Sequence, residues 1–359
     1  MTPDPQGISL TPLTAWLQAM VPAFDVSGPC RAELLAGGRS NLTYVVTDAS
    51  ERRWAIRRPP LGHLLPSAHD LGRESTVLQA LNKAGYPVPK PWALCEDPSI
   101  IGARFLVMDF VDGFVIADHI DAAHLTPSQA VNASHLLVEG LARLHQLDAR
   151  AIGLGDFGRP EGYLARQVRR WGQQWQLTKT REIAGIDRMA DWLAERVTSL
   201  PDGLPWSLVH GDYRMDNVII DPDFTSLRAV LDWEMSTLGD PVADLAVALV
   251  YWSQADDRLR CEVPVARDVT SGPGFWRRET IVEQYAAMTG LDLEHLGFCL
   301  VLACYKLAVI MESLNFRGLN GQQLGAAKER GEDMDGAVLA LAELGVNLIE
   351  APSVSTLQS

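Results

Sequence analysis

An aspartate and an asparagine stand five residues apart in the string HGDYRMDN, which begins at His210 and runs directly into the apolar residues VII. A carboxylate placed in this way can orient an attacking hydroxyl group and accept its proton, which is the requirement of phosphoryl transfer. An amide oxygen nearby can help to hold Mg²⁺ against the phosphates of ATP. Asp212 suits the first task and Asn217 suits the second, so the string predicts a catalytic loop followed by a strand.

A second metal-binding carboxylate is predicted at Asp232, which follows a strand-like run over 227–231 and stands fifteen residues after Asn217. A hairpin between these segments would bring Asn217 and Asp232 together, where their oxygen atoms can share one or two cations. Taken singly, Asp212 and Asn217 could be turn residues and Asp232 a helix cap. Their order and spacing together favour the metal-dependent site.

The elements that must position these residues fall into two groups, with a boundary near 111–114. Before the boundary, the patterns predict a helix, an antiparallel sheet and one inserted helix. The predicted ranges are a helix over 9–24, strands at 31–36, 42–47 and 52–58, a helix over 70–83, and strands near 91–96 and 103–110. After the boundary helices dominate, apart from a strand-rich stretch over 207–234, and the apolar run over 292–316 predicts a buried helix.

Composition excludes several classes of partner. A net charge of −14 opposes non-specific attraction to nucleic acid phosphates or anionic lipid. The start of the chain lacks a signal segment and no run approaches a membrane span, so we expect a cytoplasmic protein. The five cysteines are scattered without CxxC spacing, which indicates reduced thiols and no zinc site.

Four strings carry a resemblance to a known family: GGRSNLTYVV, WAIRRPPLGHLLPSAHDLGRE, HGDYRMDNVI and LDWEMSTLGDPVADLA. Over roughly residues 31–320 the chain resembles the aminoglycoside phosphotransferase family of the protein-kinase-like superfamily. Within that family it is most similar to the kinase-like domains associated with acyl-CoA dehydrogenases. The resemblance implies an α+β, bilobal protein-kinase-like fold, with ATP and Mg²⁺ as cofactors. Its small antiparallel-sheet N-lobe would cover 1–112, its larger, mostly helical C-lobe 113–350, and a tail 351–359.

The resemblance also implies nucleotide-binding residues in the first lobe. The loop GGRSN looks like the phosphate-covering loop, in which Gly38 permits close backbone approach while Ser40 and Asn41 donate to phosphate oxygens. It departs from the pattern G-x-G-x-x-G, and a plain hairpin turn is the alternative. The backbone of Asp109, Phe110 and Val111 resembles the hinge that binds adenine.

Arg57 stands where the phosphate-pairing lysine is usual, and Glu74 looks like its acidic partner. Arg and Lys are not interchangeable, so the phosphate geometry is expected to differ. Strand alternation directs Arg58 to the opposite face. The alternative is that these are solvated surface charges. In the second lobe, His210 and Asp244 resemble residues that support the catalytic loop.

Only seven residues separate Asp232 from Asp240, which leaves little platform for a peptide and favours a small hydroxylated acceptor. Candidate wall residues, for which core packing is the alternative, are Tyr163, Arg166, Trp171, Trp175, Trp276, Arg277, Arg278, Lys306, Glu312 and Arg317. These segments are mixed or basic, so an anionic or acyl compound fits better than a polycationic aminoglycoside. The alternatives are a nucleotide-binding pseudokinase or interaction module, or an aminoglycoside- or choline-type kinase. We expect a monomer or homodimer.

Overall fold

The computed structural model describes residues 4–35, 41–61, 70–265, 268–320 and 334–359, without the side chain of Cys261. By its internal contacts the described chain divides into two units, the first ending at Asp112 and the second beginning at Gly113. The predicted loop residues Gly38 and Ser40 lie outside the described residues.

The first unit is built on a five-stranded antiparallel sheet in the order β1-β2-β3-β5-β4. Its elements are α1 (Leu10–Met20), β1 (Arg31–Leu34), β2 (Leu42–Thr47), β3 (Arg53–Arg58), α2 (Leu71–Lys83), β4 (Pro91–Cys95) and β5 (Phe105–Asp109). In β3 the side chains of Trp54 and Ile56 are fully buried on one face, whereas Arg53 and Arg57 alternate with them. This alternation fixes the register of the strand that carries Arg57.

Helix α1 packs Leu13 and Leu17 into the same core as Trp54. The predicted range was 9–24, and the observed helix starts one residue later. It ends at Met20 because the backbone becomes extended at Val21. Helix α2 begins at Leu71, one residue after its predicted start, because Asp70 is the N-cap residue and its carboxylate accepts hydrogen bonds from Gly72 N and Arg73 N at 3.0 and 3.2 Å. The cap positions the helix that carries Glu74.

The second unit is mostly helical, and short strand pairs hold its loops. Its helices are α3 (His119–Ala123), α4 (Pro127–Gln146), α5 (Tyr163–Thr178), α6 (Ala184–Arg196), α7 (Pro241–Tyr251), α8 (Arg278–Thr289), α9 (Leu296–Leu319) and α10 (Met334–Glu350). Its strands are β6 (Ser207–Val209), β7 (Val218–Ile220), β8 (Leu227–Val230) and β9 (Thr237–Gly239). Strand β6 pairs with β9 and β7 pairs with β8, both antiparallel.

Helix α9 lies at the centre of the second unit, in contact with α5, α6, α7 and α10. Within the described residues it is long and apolar enough to cross a membrane, contrary to the expectation that no run approaches a membrane span. However, 83% of its most apolar 18-residue window is buried inside the protein. Its apolar surface is thus used for internal packing, as the predicted buried helix over 292–316 required. Cys299 and Cys304 are buried in this helix as free thiols.

Candidate active site

The string HGDYRMDN forms the connection between β6 and β7. Gly211 has a left-handed backbone conformation, with φ +83°, and a Cβ built on it would lie 2.8 Å from the carbonyl oxygen of Met235. Glycine is therefore required by both conformation and space. The turn at Gly211 sets the direction in which the next residue, Asp212, leaves β6.

Asp244, in the first turn of α7, holds the start of this loop. Its Oδ2 accepts a hydrogen bond from His210 N at 2.7 Å, and its Oδ1 accepts one from Gly211 N at 2.8 Å. Burial would raise the pKa of this carboxyl group, but hydrogen bonds from His145 and from the backbone of His210 lower it below its ordinary value. The carboxylate thus stays ionised and holds the backbone amides of His210 and Gly211 in place.

The ring of His210 joins the loop to the end of β8. Its Nε2 lies 2.7 Å from the carbonyl oxygen of Leu231, and its Nδ1 accepts a hydrogen bond from Asp212 N at 3.2 Å. The residue is fully buried. Both ring nitrogens therefore have structural contacts, which matches a supporting role and not proton transfer.

The carboxylate of Asp212 is about one fifth exposed and is surrounded by donors. Its Oδ2 lies 3.2 Å from Arg214 Nε and 3.2 Å from Asn217 Nδ2. The hydroxyl of Tyr251, from α7, lies near the same carboxylate, and burial and this negative charge raise the pKa of the hydroxyl. These contacts hold Asp212 as an oriented anion that still reaches solvent.

Asn217 and Asp232 lie at neighbouring points of the β7–β8 pair. Val218 faces Val230 in the register, and Leu231 N donates to Asn217 O at 2.8 Å, so Asp232 follows one residue beyond this bond. Asp232 has φ +64°, a left-handed conformation that is uncommon for residues other than glycine. The hairpin therefore brings together the two residues that the sequence proposed as metal ligands.

Arg214 and Tyr251 are contacts of Asp212 that the sequence analysis did not identify. Arg214 also binds Asp216, with Nη1 to Oδ2 at 2.6 Å, and its guanidinium lies over the ring of Tyr251. Burial alone would lower the pKa of Arg214, but Asp212 and Asp216 raise it above its usual value. A basic residue two positions after Asp212 was the available signal for Arg214, whereas Tyr251 is thirty-nine positions away from Asp212 in sequence.

In the first unit, the structure brings Arg57 and Glu74 together. Arg57 Nε lies 3.2 Å from Glu74 Oε2, and the two side chains are only 13% and 3% exposed. Arg58 lies on the other face of β3, where it donates to the carbonyl oxygens of Gly7 and Ile101. The strand register used for Arg57 is consistent with these contacts, and its binding role stays a prediction.

The other residues predicted to bind nucleotide, namely Asn41, Asp109, Phe110 and Val111, differ in burial and in hydrogen bonding. Asn41 is buried at the start of β2. The amide of Asp109 already donates to Lys90 O at 2.9 Å, and its carboxylate accepts from Trp92 and Arg52. Phe110 and Val111 are half-buried after β5. Of the backbone groups proposed for adenine, the Asp109 amide is thus already used inside the unit.

Several candidate wall residues belong to the core. Trp175 is 1% exposed, and Arg278 is 1% exposed and paired with Asp257 at 2.5 Å. The carboxylate of Glu312 accepts hydrogen bonds from the backbone and side chain of Thr180. Helical spacing of large side chains in these segments thus reflects packing.

A protein-family model and proteins of related sequence match most of the chain. The chain matches the model of the phosphotransferase enzyme family over residues 31–292. It is 34% identical over 353 residues to acyl-CoA dehydrogenase family member 11 of Gallus gallus, and this alignment covers 96% of the chain but 44% of that protein. The chain therefore spans less than half the length of this relative.

Solved structures with the same fold include a Ralstonia eutropha protein assigned to the aminoglycoside phosphotransferases. That structure is 30% identical, has a TM-score of 0.76, and aligns over 95% of this chain and 98% of its own. A choline kinase from Cryptosporidium parvum is 12% identical, with a TM-score of 0.62 over 94% of this chain and all of its own. The second likeness concerns the fold alone.

Proposed function

The chain belongs to the phosphotransferase enzyme family, as its sequence resemblance predicted, and on this premise we propose that it transfers the γ-phosphoryl group of ATP to a hydroxyl group of a small metabolite. The observation that supports this proposal best is the environment of Asp212. Its carboxylate is oriented by Arg214 and Asn217, with Tyr251 nearby, and it remains partly exposed beside the β7–β8 pair. A carboxylate in this state can accept a proton from a bound alcohol.

In the proposed reaction the acceptor hydroxyl oxygen forms a bond to the γ-phosphorus while the bond from that phosphorus to the bridging oxygen of ADP breaks. The hydroxyl proton passes to Asp212, and the products are a phosphate ester and ADP. Arg214 and Asn217 keep the carboxylate in one orientation, which lowers the cost of bringing base and hydroxyl together. The loop backbone is fixed from behind by Asp244.

The donor set of Asn217 and Asp232 fits Mg²⁺, because this cation prefers carboxylate and amide oxygens. Asn217 Nδ2 donates to the backbone oxygen and the carboxylate of Asp212, so its carbonyl oxygen is the atom suited to a cation. When bound, Mg²⁺ would neutralise charge on the ATP phosphates. In the first unit, we assign phosphate binding to Arg57, held by Glu74.

For the acceptor we propose an acyl or hydroxyacyl compound. Support comes from the likeness to acyl-CoA dehydrogenase family member 11 and from the basic character of helix α5, which contains Arg166, Arg169 and Arg170. A net charge of −14 is in keeping with a small-molecule substrate and no nucleic acid or membrane partner, and we place the reaction in the cytoplasm.

The test is a screen of hydroxylated metabolites with Mg·ATP, in which ADP release and a product one phosphoryl group heavier are measured together. The panel includes hydroxy acids, hydroxyacyl thioesters, choline and an aminoglycoside. We expect turnover with a hydroxyacyl compound, and a fall of about 100- to 10,000-fold in Asp212→Asn, because this variant removes the general base.

Two outcomes would contradict the proposal in different ways. Turnover confined to choline or the aminoglycoside would overturn the acceptor class but retain the reaction. Binding of Mg·ATP without phosphoryl transfer to any member of the panel would favour a nucleotide-binding module, an alternative raised by Arg57 at the usual lysine position.

A further inference from the structure

A lysine is buried in the apolar first half of helix α9, directly behind the predicted catalytic loop. Lys306 is 8% exposed, and its Nζ donates a hydrogen bond to the carbonyl oxygen of Gly211 at 2.5 Å. Removing an ammonium group from water is costly unless it gains strong contacts. A lysine kept at such a position therefore calls for a functional reason.

The carbonyl that Lys306 binds belongs to the peptide group joining Gly211 to Asp212. The other edge of that peptide group, Asp212 N, donates to His210 Nδ1 at 3.2 Å. The preceding peptide is held as well, because Gly211 N donates to Asp244 Oδ1 at 2.8 Å. The peptide plane that leads into Asp212 is thus held by a hydrogen bond at each edge, and Lys306 donates one of these two bonds.

The charges around Lys306 come from three elements. Asp212 of the loop and Asp244 of α7 attract the ammonium group, whereas Arg170 of α5 repels it. Burial lowers the pKa of Lys306, and the two carboxylates oppose this shift. The ring centroid of Trp171 lies 5.8 Å from Nζ, within the range of a cation–π contact.

A small cavity of about 20 Å³ adjoins this lysine, which is room for about one water molecule. Its lining includes Tyr163, Gln167, Trp171 and Asp244. The side chain of Lys306 is therefore enclosed by α5, α7 and the loop, and its reach to Gly211 is set by packing.

We propose that Lys306 is a positioning residue for phosphoryl transfer, which holds the Gly211–Asp212 peptide so that the Asp212 carboxylate faces the acceptor hydroxyl. The inference rests on the proposed function. Lys306 does not touch the reacting atoms in this assignment and acts only through the loop. It was considered from the sequence as a pocket wall, and its contact with Gly211 gives it a different task.

The test compares Lys306→Met, which keeps the approximate length but removes the donor and the charge, with the wild-type protein. We expect kcat to fall at least about tenfold, because small misplacements of a catalytic group are costly. The dissociation constant of Mg·ATP should stay within about twofold, since the metal and phosphate ligands are untouched. Backbone hydrogen exchange should become faster in the segment 208–217 and unchanged elsewhere in the second unit.

Lys179→Met is the matched control, because Lys179 also lies in the second unit but pairs with Glu182 at the surface. It should alter neither kcat nor the exchange of the loop. Should Lys306→Met fail to fold, Lys306→Arg keeps a cationic donor at the site and is expected to retain part of kcat together with a protected loop. A folded Lys306→Arg protein with a protected loop and kcat as low as that of Asp212→Asn would overturn the assignment.

A Lys306→Met protein with kcat within twofold of wild type, or one that loses ATP affinity and exchange protection throughout the second unit, would also overturn it. Failure of the proposed function is a separate result. If the wild-type protein phosphorylates no acceptor, the exchange comparison still decides whether Lys306 holds the loop.

Discussion

Arg57 is the single residue at which this chain departs most clearly from a kinase pattern. Lysine presents a compact charge, whereas the planar guanidinium has several N–H donors and can contact Glu74 and a phosphate together. The Arg57–Glu74 contact is largely buried, at 3.2 Å between Nε and Oε2. The geometry therefore supports a guanidinium group on β3 that is held in place by Glu74, and the contribution of Glu74 can be measured.

Arg57→Ala should weaken Mg·ATP binding about ten- to a hundredfold, since a charge-assisted phosphate contact is removed. Glu74→Ala should weaken it less. Because Glu74 acts through Arg57, the double variant should cost less than the two single effects added together, by at least about 0.5 kcal/mol. Isothermal titration calorimetry on the four proteins measures this coupling.

Arg58→Ala is the control on the same strand. Its guanidinium binds the carbonyl oxygens of Gly7 and Ile101, so this variant should lower thermal stability and leave nucleotide affinity unchanged. Strict additivity of the Arg57 and Glu74 effects, or a loss of affinity in Arg58→Ala, would contradict the phosphate-binding assignment.

Contacts between residues that are close in sequence could be predicted, whereas most contacts across the fold could not. One loop and one hairpin bring Asp212, Asn217 and Asp232 near one another, and their catalytic and metal-binding roles stay predictions. Tyr251 and Lys306 reach the loop from helices that are distant in sequence. Lys306 was predicted as a pocket-wall residue, but its contact with Gly211 was not predicted. Nothing in the local pattern of Tyr251 distinguishes it from a packing residue. Their positions follow from the packing of α7 and α9 and could not be read from a string.

At the level of elements, the loop between β6 and β7 depends on a backbone shape that only glycine adopts easily. Gly211 combines φ +83° with a close approach to Met235 O. Gly290, at the end of α8, has φ +68° but nothing within 4 Å of a built Cβ. Substitutions at these two glycines therefore separate the free energy lost to backbone strain from the free energy lost to a steric clash with Met235.

Gly290→Ala should destabilise the protein by about 1–2 kcal/mol, from backbone strain alone. Gly211→Ala should cost about 1–3 kcal/mol more, because Met235 must also move, and it should lower kcat through the displaced loop. Denaturant unfolding and steady-state kinetics measure the two effects. Equal destabilisation by the two substitutions, with kcat unchanged in Gly211→Ala, would show that the loop tolerates a side chain at this position.

Element type was more predictable than element length. The helix over 71–83 begins within one residue of its predicted start, because Asp70 directly precedes an amphipathic run and caps it, and a cap is a local interaction. Helix α1 ends at Met20, before its predicted limit, because the backbone becomes extended at Val21. Val21 and Phe24 still enter the core that holds Leu13 and Leu17, so their apolar side chains predicted burial correctly but not the helical backbone.

At the scale of the whole molecule, the predicted α+β, protein-kinase-like fold class is confirmed. The sheet-rich and helix-rich halves were visible because strand and helix periodicities occupy different parts of the chain. The acceptor could not be derived in this way, because several side chains proposed as pocket walls, such as Trp175 and Arg278, are buried in the core. The chain also spans less than half of the acyl-CoA dehydrogenase family member that it matches, so that protein's other activities do not transfer to it.

The most direct test of an Mg·ATP site at Asp212, Asn217 and Asp232 is calorimetric titration with ATP, with and without Mg²⁺, of the wild-type protein, Asp232→Asn and Asp212→Asn in low-salt reducing buffer. We expect Mg²⁺-dependent binding to the wild-type protein. Binding should be at least about tenfold weaker in Asp232→Asn, which loses a metal ligand, and nearly unchanged in Asp212→Asn, which loses only the base. Two results would contradict these roles of Asp232 and Asp212: no binding of Mg·ATP to the wild-type protein, or an equal loss of Mg·ATP affinity in the two folded variants.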